Sequence, residues 1–175
     1  MGASSWSYFI PYQTDISKAL RELREATFER SEYFQRDPYW KSMSFVDFLP
    51  PVPDLTEEEK ADYLAEFQKL QTLPEPTSIE TLIEWNGEAG THSILDIAQI
   101  GSKASFGVAA PLSKASLKKF FGTDKPTREM IEREERNLDT FLQQEMQRHL
   151  GEATYIIVYK DGELNEIYFV GYSGD

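Results

Sequence analysis

Thr154-Tyr-Ile-Ile-Val-Tyr-Lys160, Asp161-Gly162 and Glu163-Leu-Asn-Glu-Ile-Tyr-Phe-Val-Gly-Tyr172 form one continuous stretch that reads as two strands joined by a two-residue turn. Asp161-Gly162 suits the positive φ angles of a type I′ hairpin turn, whose twist matches that of the flanking strands. Tyr155–Tyr159 and Ile167–Val170 are apolar without strict alternation, so both faces of this hairpin should be covered and its strands should be central. Helices must then supply the cover. The predicted fold class is α+β: a mainly antiparallel or mixed sheet of about five strands, with a C-terminal β-hairpin, packed by about five helices.

Upstream of the hairpin, Pro126 precedes a long helix predicted from about Thr127 to Leu150. Ile131, Leu138, Phe141, Leu142, Met146 and His149 lie on or near one stripe, and Gly151 closes it. Ser113 can cap a small helix with Leu117, Phe120 and Phe121 inward and Lys114, Lys118 and Lys119 outward, ending at Gly122. Ser93–Ile97 and Phe106–Ala110 read as short strands. At the other end, Trp6–Tyr12 reads as an opening strand. A helix capped by Thr14 or Asp15 follows, with Ile16, Ala19, Leu20, Leu23 and Thr27 at helical spacing up to about Tyr33.

Thr56-Glu57-Glu58-Glu59 is a capping box that opens a helix to about Leu70, and Thr77-Ser78-Ile79-Glu80 repeats the pattern before a short helix that Gly87 stops. Between these elements, residues 34–53 lack periodicity. Pro38, Pro50, Pro51 and Pro53 interrupt a run that holds Tyr39, Trp40, Phe45 and Phe48, so an irregular excursion pinned by its rings is expected, with Pro50–Pro53 extended. A length of 175 residues fits one domain, 1–175, with this excursion inside it.

Composition narrows the function classes. Eleven Phe, nine Tyr and three Trp argue for a packed core in spite of a net charge of -12. The sequence has no cysteine, so disulfides, thiolate nucleophiles and thiolate-held metals are excluded. Strong acidity opposes nucleic-acid binding. No apolar run nears the roughly 18 residues of a membrane helix, and the start Met-Gly-Ala-Ser-Ser-Trp lacks the basic and apolar regions of a signal peptide. A soluble cytoplasmic chain with no membrane contact is the expectation.

The charge is segregated. Asp54, Glu57, Glu58, Glu59, Asp62, Glu66, Glu75, Glu80, Glu84 and Glu88 face only Lys60 and Lys69, whereas Lys103, Lys114, Lys118, Lys119, Lys125 and Arg128 follow with Asp124 between them. Helix caps and the helix dipole account for Glu57, Glu58, Glu59 and Glu80. Asp62, Glu66, Glu84 and Glu88 lie beyond the first turns, and their clustering would invite a basic protein partner. Glu58 with Asp62, and Glu80 with Glu84, stand four apart on common helix faces, where a cation would relieve their repulsion and where plain solvation is the simpler reading. The Glu-x-x-His pattern of a di-metal helical site is absent, as are the P-loop, the dinucleotide fingerprint and His-Glu-x-x-His, so neither a metal nor a cofactor is expected.

His92 and His149 are the only imidazoles. His149 suits the carbonyl end of the long helix. His92 stands with Ser93 and Asp96 at a glycine-bearing loop, the residue types of a nucleophilic triad, although strand neighbours point to opposite faces and no serine elbow is present.

Ser7-Tyr-Phe-Ile-Pro-Tyr-Gln13, Gly90-Thr-His-Ser-Ile-Leu-Asp-Ile97, Phe121-Gly-Thr-Asp-Lys-Pro-Thr127 and Tyr159-Lys-Asp-Gly162 resemble segments of a small uncharacterised bacterial protein family. The resemblance implies a bacterial origin and no chemistry. In size and charge the chain also resembles immunity proteins that block bacterial toxins. The expected function is protein–protein interaction, as an inhibitor or immunity-type protein, through Asp62, Glu66, Glu84, Glu88, Glu57, Glu58 and Glu80. The alternative is a small-ligand-binding protein or hydrolase-like enzyme with a pocket at residues 90–96 and His92, Ser93 and Asp96 as its catalytic residues.

Overall fold

The computed structural model describes residues 4–51, 55–145 and 149–173, apart from the side chains of Trp40, Gln144 and Glu145. Val52 and Pro53 of the expected extended run, the acid Asp54 and the helix position Met146 lie outside the described residues. The fold is α+β, with strands β1 (Ser4–Pro11), β2 (Gln99–Ile100), β3 (Val108–Pro111), β4 (Glu152–Lys160) and β5 (Glu163–Ser173) in one sheet of order β1-β5-β4-β3-β2. β1, β5 and β4 pair antiparallel, while β4, β3 and β2 pair parallel. The hairpin β4–β5 occupies the middle. Its turn residues Asp161 and Gly162 have φ of 52° and 85°, the left-handed values that an Asp-Gly pair tolerates.

Helices cover both faces of that hairpin. On one face, α1 (Ile16–Glu29), capped by the Asp15 carboxylate, buries Ala19, Leu20 and Leu23 against Trp6, Ile94, Ile97, Ile167 and Phe169. On the other, α5 (Lys114–Phe121), α6 (Arg128–Arg133) and α7 (Glu135–Thr140) bury Leu117, Ile131 and Leu138 against Ile156, Val158, Tyr168 and Val170. Parallel pairing of β3 with β4 follows from this, because the chain crosses over the face through α5–α7 before it re-enters the sheet.

Three local expectations are corrected. The long helix from Thr127 to Leu150 is not continuous: Glu134 leaves helical geometry at φ -103°, ψ 12°, and a π-helical turn spans Phe141–Glu145. The wider turn lets both Phe141 and Leu142 face the core. His149 itself is not helical and stands in the turn before β4, where its backbone N–H donates to the Glu152 carboxylate at 3.3 Å. Ser93–Ile97 is not a strand but a 3₁₀ turn over Ile94–Asp96. The second capping box joins Ser78 to Thr81 and not Thr77 to Glu80, because Ser78 is the extended residue at φ -144° that opens α4 (Ile79–Asn86).

Burial is the first cause holding the Tyr8, Tyr155, Tyr168 and Tyr172 phenols above their ordinary value of 10.0. For Tyr172, Asp139 adds to it. The folded state thus keeps protons that the unfolded state releases, so stability is intact below about pH 10 and falls as pH rises above it. In an alkaline titration, phenolate absorbance should show these four of the nine tyrosines ionising only together with loss of far-UV circular dichroism. Their ionisation ahead of unfolding would contradict the burial argument.

Candidate functional site

Residues 34–51 and helix α3 (Glu57–Thr72) form a layer outside the two main cores, and none of the α3 residues is buried. Rings and one buried amide hold this layer. Phe67 of α3 contacts Phe45 and Phe48, both in α2 (Phe45–Phe48), at ring distances of 5.6 and 5.3 Å. Asn86, fully buried at the end of α4, donates to the Phe34 and Gly90 carbonyls and accepts from the Arg36 N–H, all within 2.9 Å. Trp85 donates its indole N–H to the Arg36 carbonyl at 2.8 Å. These bonds satisfy backbone that the proline-rich segment cannot place in a helix or sheet.

Between α3, α4 and the excursion lies a cleft of about 660 Å³. Trp85 and Tyr39 give it aromatic walls, and Asp47, Glu66, Glu84 and Glu88 place four carboxylates around it against the two cations Arg36 and Lys69. Lys69 crosses from α3 to Glu84 of α4 at 3.0 Å, and the Lys41 ammonium stands 4.7 Å from the Trp85 ring centre. A cation–aromatic contact is thus already built into the edge of this site.

Of the acids singled out in the sequence, Glu66, Glu84 and Glu88 come together at the cleft. Asp62 is not among its lining residues. Glu57 and Glu58 stay in the first turn of α3, where Lys60 bonds Glu57 at 2.7 Å and holds its carboxyl below the usual range. Glu80 does not line the cleft either, and hydrogen bonds from its own backbone and the Ser78 hydroxyl lower its pKa. Arg36, Tyr39, Lys69 and Trp85 went unnoticed as site residues. The concentration of rings in 34–48 beside a helix ending in Trp85-Asn86 was their only sequence signal.

The second candidate cluster has a different character. His92 takes φ +50° and stacks on Phe34, ring centres 4.6 Å apart. Ser93 is fully buried, its hydroxyl shared with the Thr91 hydroxyl at 2.8 Å while it accepts the Leu95 N–H at 3.3 Å. The Asp96 carboxylate accepts the Thr91 N–H at 2.8 Å on one oxygen and the Ser173 hydroxyl on the other. Ser173 in turn accepts the Trp6 indole N–H at 3.0 Å. Ser93 and Asp96 meet through Thr91 in a network that ties β1 and β5 to the loop, while His92 packs on Phe34. The serine hydroxyl bonds threonine, and the two carboxylate oxygens accept from Thr91 and Ser173. Among the described residues, no group of three or more His, Asp or Glu side chains could hold a metal, and no helix is long and apolar enough to cross a membrane. No protein-family model, curated protein or solved structure matches this chain.

Proposed function

We propose that the protein acts as an inhibitor-type interaction protein that receives a basic segment of a partner protein in the α3–α4 cleft. The supporting observation is the convergence of Glu66 of α3, Glu84 of α4 and Glu88 of the turn after α4 on one aromatic-walled cleft with more carboxylates than cations. A partner Lys or Arg entering there would meet Glu66 and Glu88 and lie against the exposed Tyr39 ring. Such contacts combine charge-assisted hydrogen bonds with cation–π attraction. The surface charge of the chain would speed the encounter at low salt.

Glu66 and Glu88 are exposed, so reversing them to Lys should leave the fold intact. Calorimetric titration with a Gly-spaced Lys/Arg peptide should then show affinity lowered by about tenfold or more in E66K/E88K, and wild-type binding that weakens as NaCl rises through the Debye-screening range. Equal affinity in the variant, or binding indifferent to salt, would falsify the proposal.

A further inference from the structure

A second groove, of about 370 Å³, runs between α1 and the edge strand β2, and its chemistry is opposite to that of the acidic cleft. Ser17, Arg21 and Arg24 line it from α1, and Gln99 and Ile100 from β2, over Leu20. Spacings of four and three place Ser17, Arg21 and Arg24 on one helix stripe, so two like charges sit side by side. The chain carries 30 acids, yet neither guanidinium has a carboxylate within 4 Å among the described residues.

Arg24 is half-buried. Its Nη2 donates to the Leu95 carbonyl at 3.3 Å, while its Nε is buried with no hydrogen-bond partner among the described residues. Glu80 and Asp96 act on it only at longer range. Both oxygens of Asp96 are already engaged by Thr91 and Ser173. Burial lowers the Arg24 pKa, the direction expected for a cation that lacks a counter-charge.

The sheet edge adds a further donor. Gln99 N–H goes to the Gly107 carbonyl at 3.2 Å and Gly101 N–H to Ala109 at 2.9 Å. Alternation along the strand therefore turns the intervening Ile100 N–H away from β3, to the open edge of the sheet. The Arg21 and Arg24 guanidiniums and the Ser17 hydroxyl line the groove as donors beside an edge N–H with no hydrogen-bond partner among the described residues, and the groove-lining side chains include no carboxylate.

We propose that this α1–β2 groove binds an oxyanion, a phosphate or carboxylate group, through Arg21, Arg24 and the Ile100 N–H. Guanidinium forks match the planar oxygen geometry of such groups. An anion here would replace the missing counter-charge of Arg24 and relieve its repulsion with Arg21.

The test is an NMR titration of the full chain with inorganic phosphate and, separately, acetate, each at ionic strength matched with sodium chloride. Saturable shifts of the Ile100 amide and the Arg24 Nε–H, absent with chloride, are expected. Saturation by phosphate alone would assign a phosphate-bearing ligand, and saturation by acetate a carboxylate. Arg21 is exposed, so R21Q keeps the fold and should weaken binding by about tenfold. Arg24→Lys retains the charge without the fork and should weaken it as well. Shifts that match those of chloride, that do not saturate by about 50 mM, far above the millimolar range, or that persist unchanged in both variants overturn the proposal.

Discussion

Asp96→Ala is expected to lower the unfolding free energy by about 3 kcal/mol or more, read by urea denaturation, and the melting temperature by about 6–12 °C. The size follows from what the carboxylate holds. It accepts the Thr91 N–H and the Ser173 hydroxyl, and both donor residues are fully buried. Removing it leaves two buried donors without acceptors, and hydrogen bonds to a charged group are worth about 1.5–3 kcal/mol each. It also removes one of the two carboxylates that act on Arg24 at longer range, the other being Glu80. Ser173→Ala alone should cost less, because the Thr91 bond survives. The double variant should fall short of the sum by about 1 kcal/mol, since both changes break the same contact. A residue that merely oriented a catalytic histidine would lower activity and leave stability unchanged. A stability change smaller than about 1 kcal/mol for Asp96→Ala would contradict this structural role.

Gly171→Ala is the second change with a large expected cost, about 3 kcal/mol. Gly171 lies in β5 between Trp6 of β1 and Ala153 of β4. A methyl group there would fall on the six-membered ring of Trp6 and stand 3.0 Å from the Glu152 carbonyl oxygen. The indole must move, and its N–H bond to Ser173 breaks with it. Emptying the site by Trp6→Ala should cost about 3–5 kcal/mol by itself. In that background the added alanine should cost little, which gives a coupling of about 2 kcal/mol in a double-mutant cycle. Additive costs in denaturant unfolding would show that the Trp6 ring is not the obstacle.

Both variants probe contacts between residues far apart in sequence, and that marks the limit of sequence reading for this chain. The hairpin was legible because Asp161-Gly162 carries its turn geometry locally and because covered strands are continuously apolar. Helix α1 was legible down to Ala19, Leu20, Leu23 and Thr27, which are its buried residues, since helical periodicity records which side faces the core. Thr56 and Glu59 form the expected capping box. Ser93–Ile97 misled because Ser93 and Asp96 bond nearby backbone N–H groups and bend the chain into a 3₁₀ turn against the strand propensity of its Ile and Leu. The break at Glu134 left no mark in the apolar stripe, because it serves the passage of the chain over the sheet.

The candidate sites divide in the same way. Acid-rich helices were visible in composition, and so was the segregation of charge along the chain. Which acids share a surface was not, since Glu66 and Glu84 meet only through Phe67, Asn86 and Lys69, and Arg24 meets Gln99 and Ile100 only through packing of α1 on a sheet edge. By itself the sequence determined the strands of the hairpin, the amphipathic helices, their caps and the α+β class, all of which rest on interactions within a few residues. Tertiary structure alone decided the parallel pairing of β3, the bond from Asp96 to Ser173 across 77 residues, the acidic cleft and the arginine groove. Each of these requires closing a long loop whose entropy is repaid only when the whole core assembles, so no local pattern encodes it.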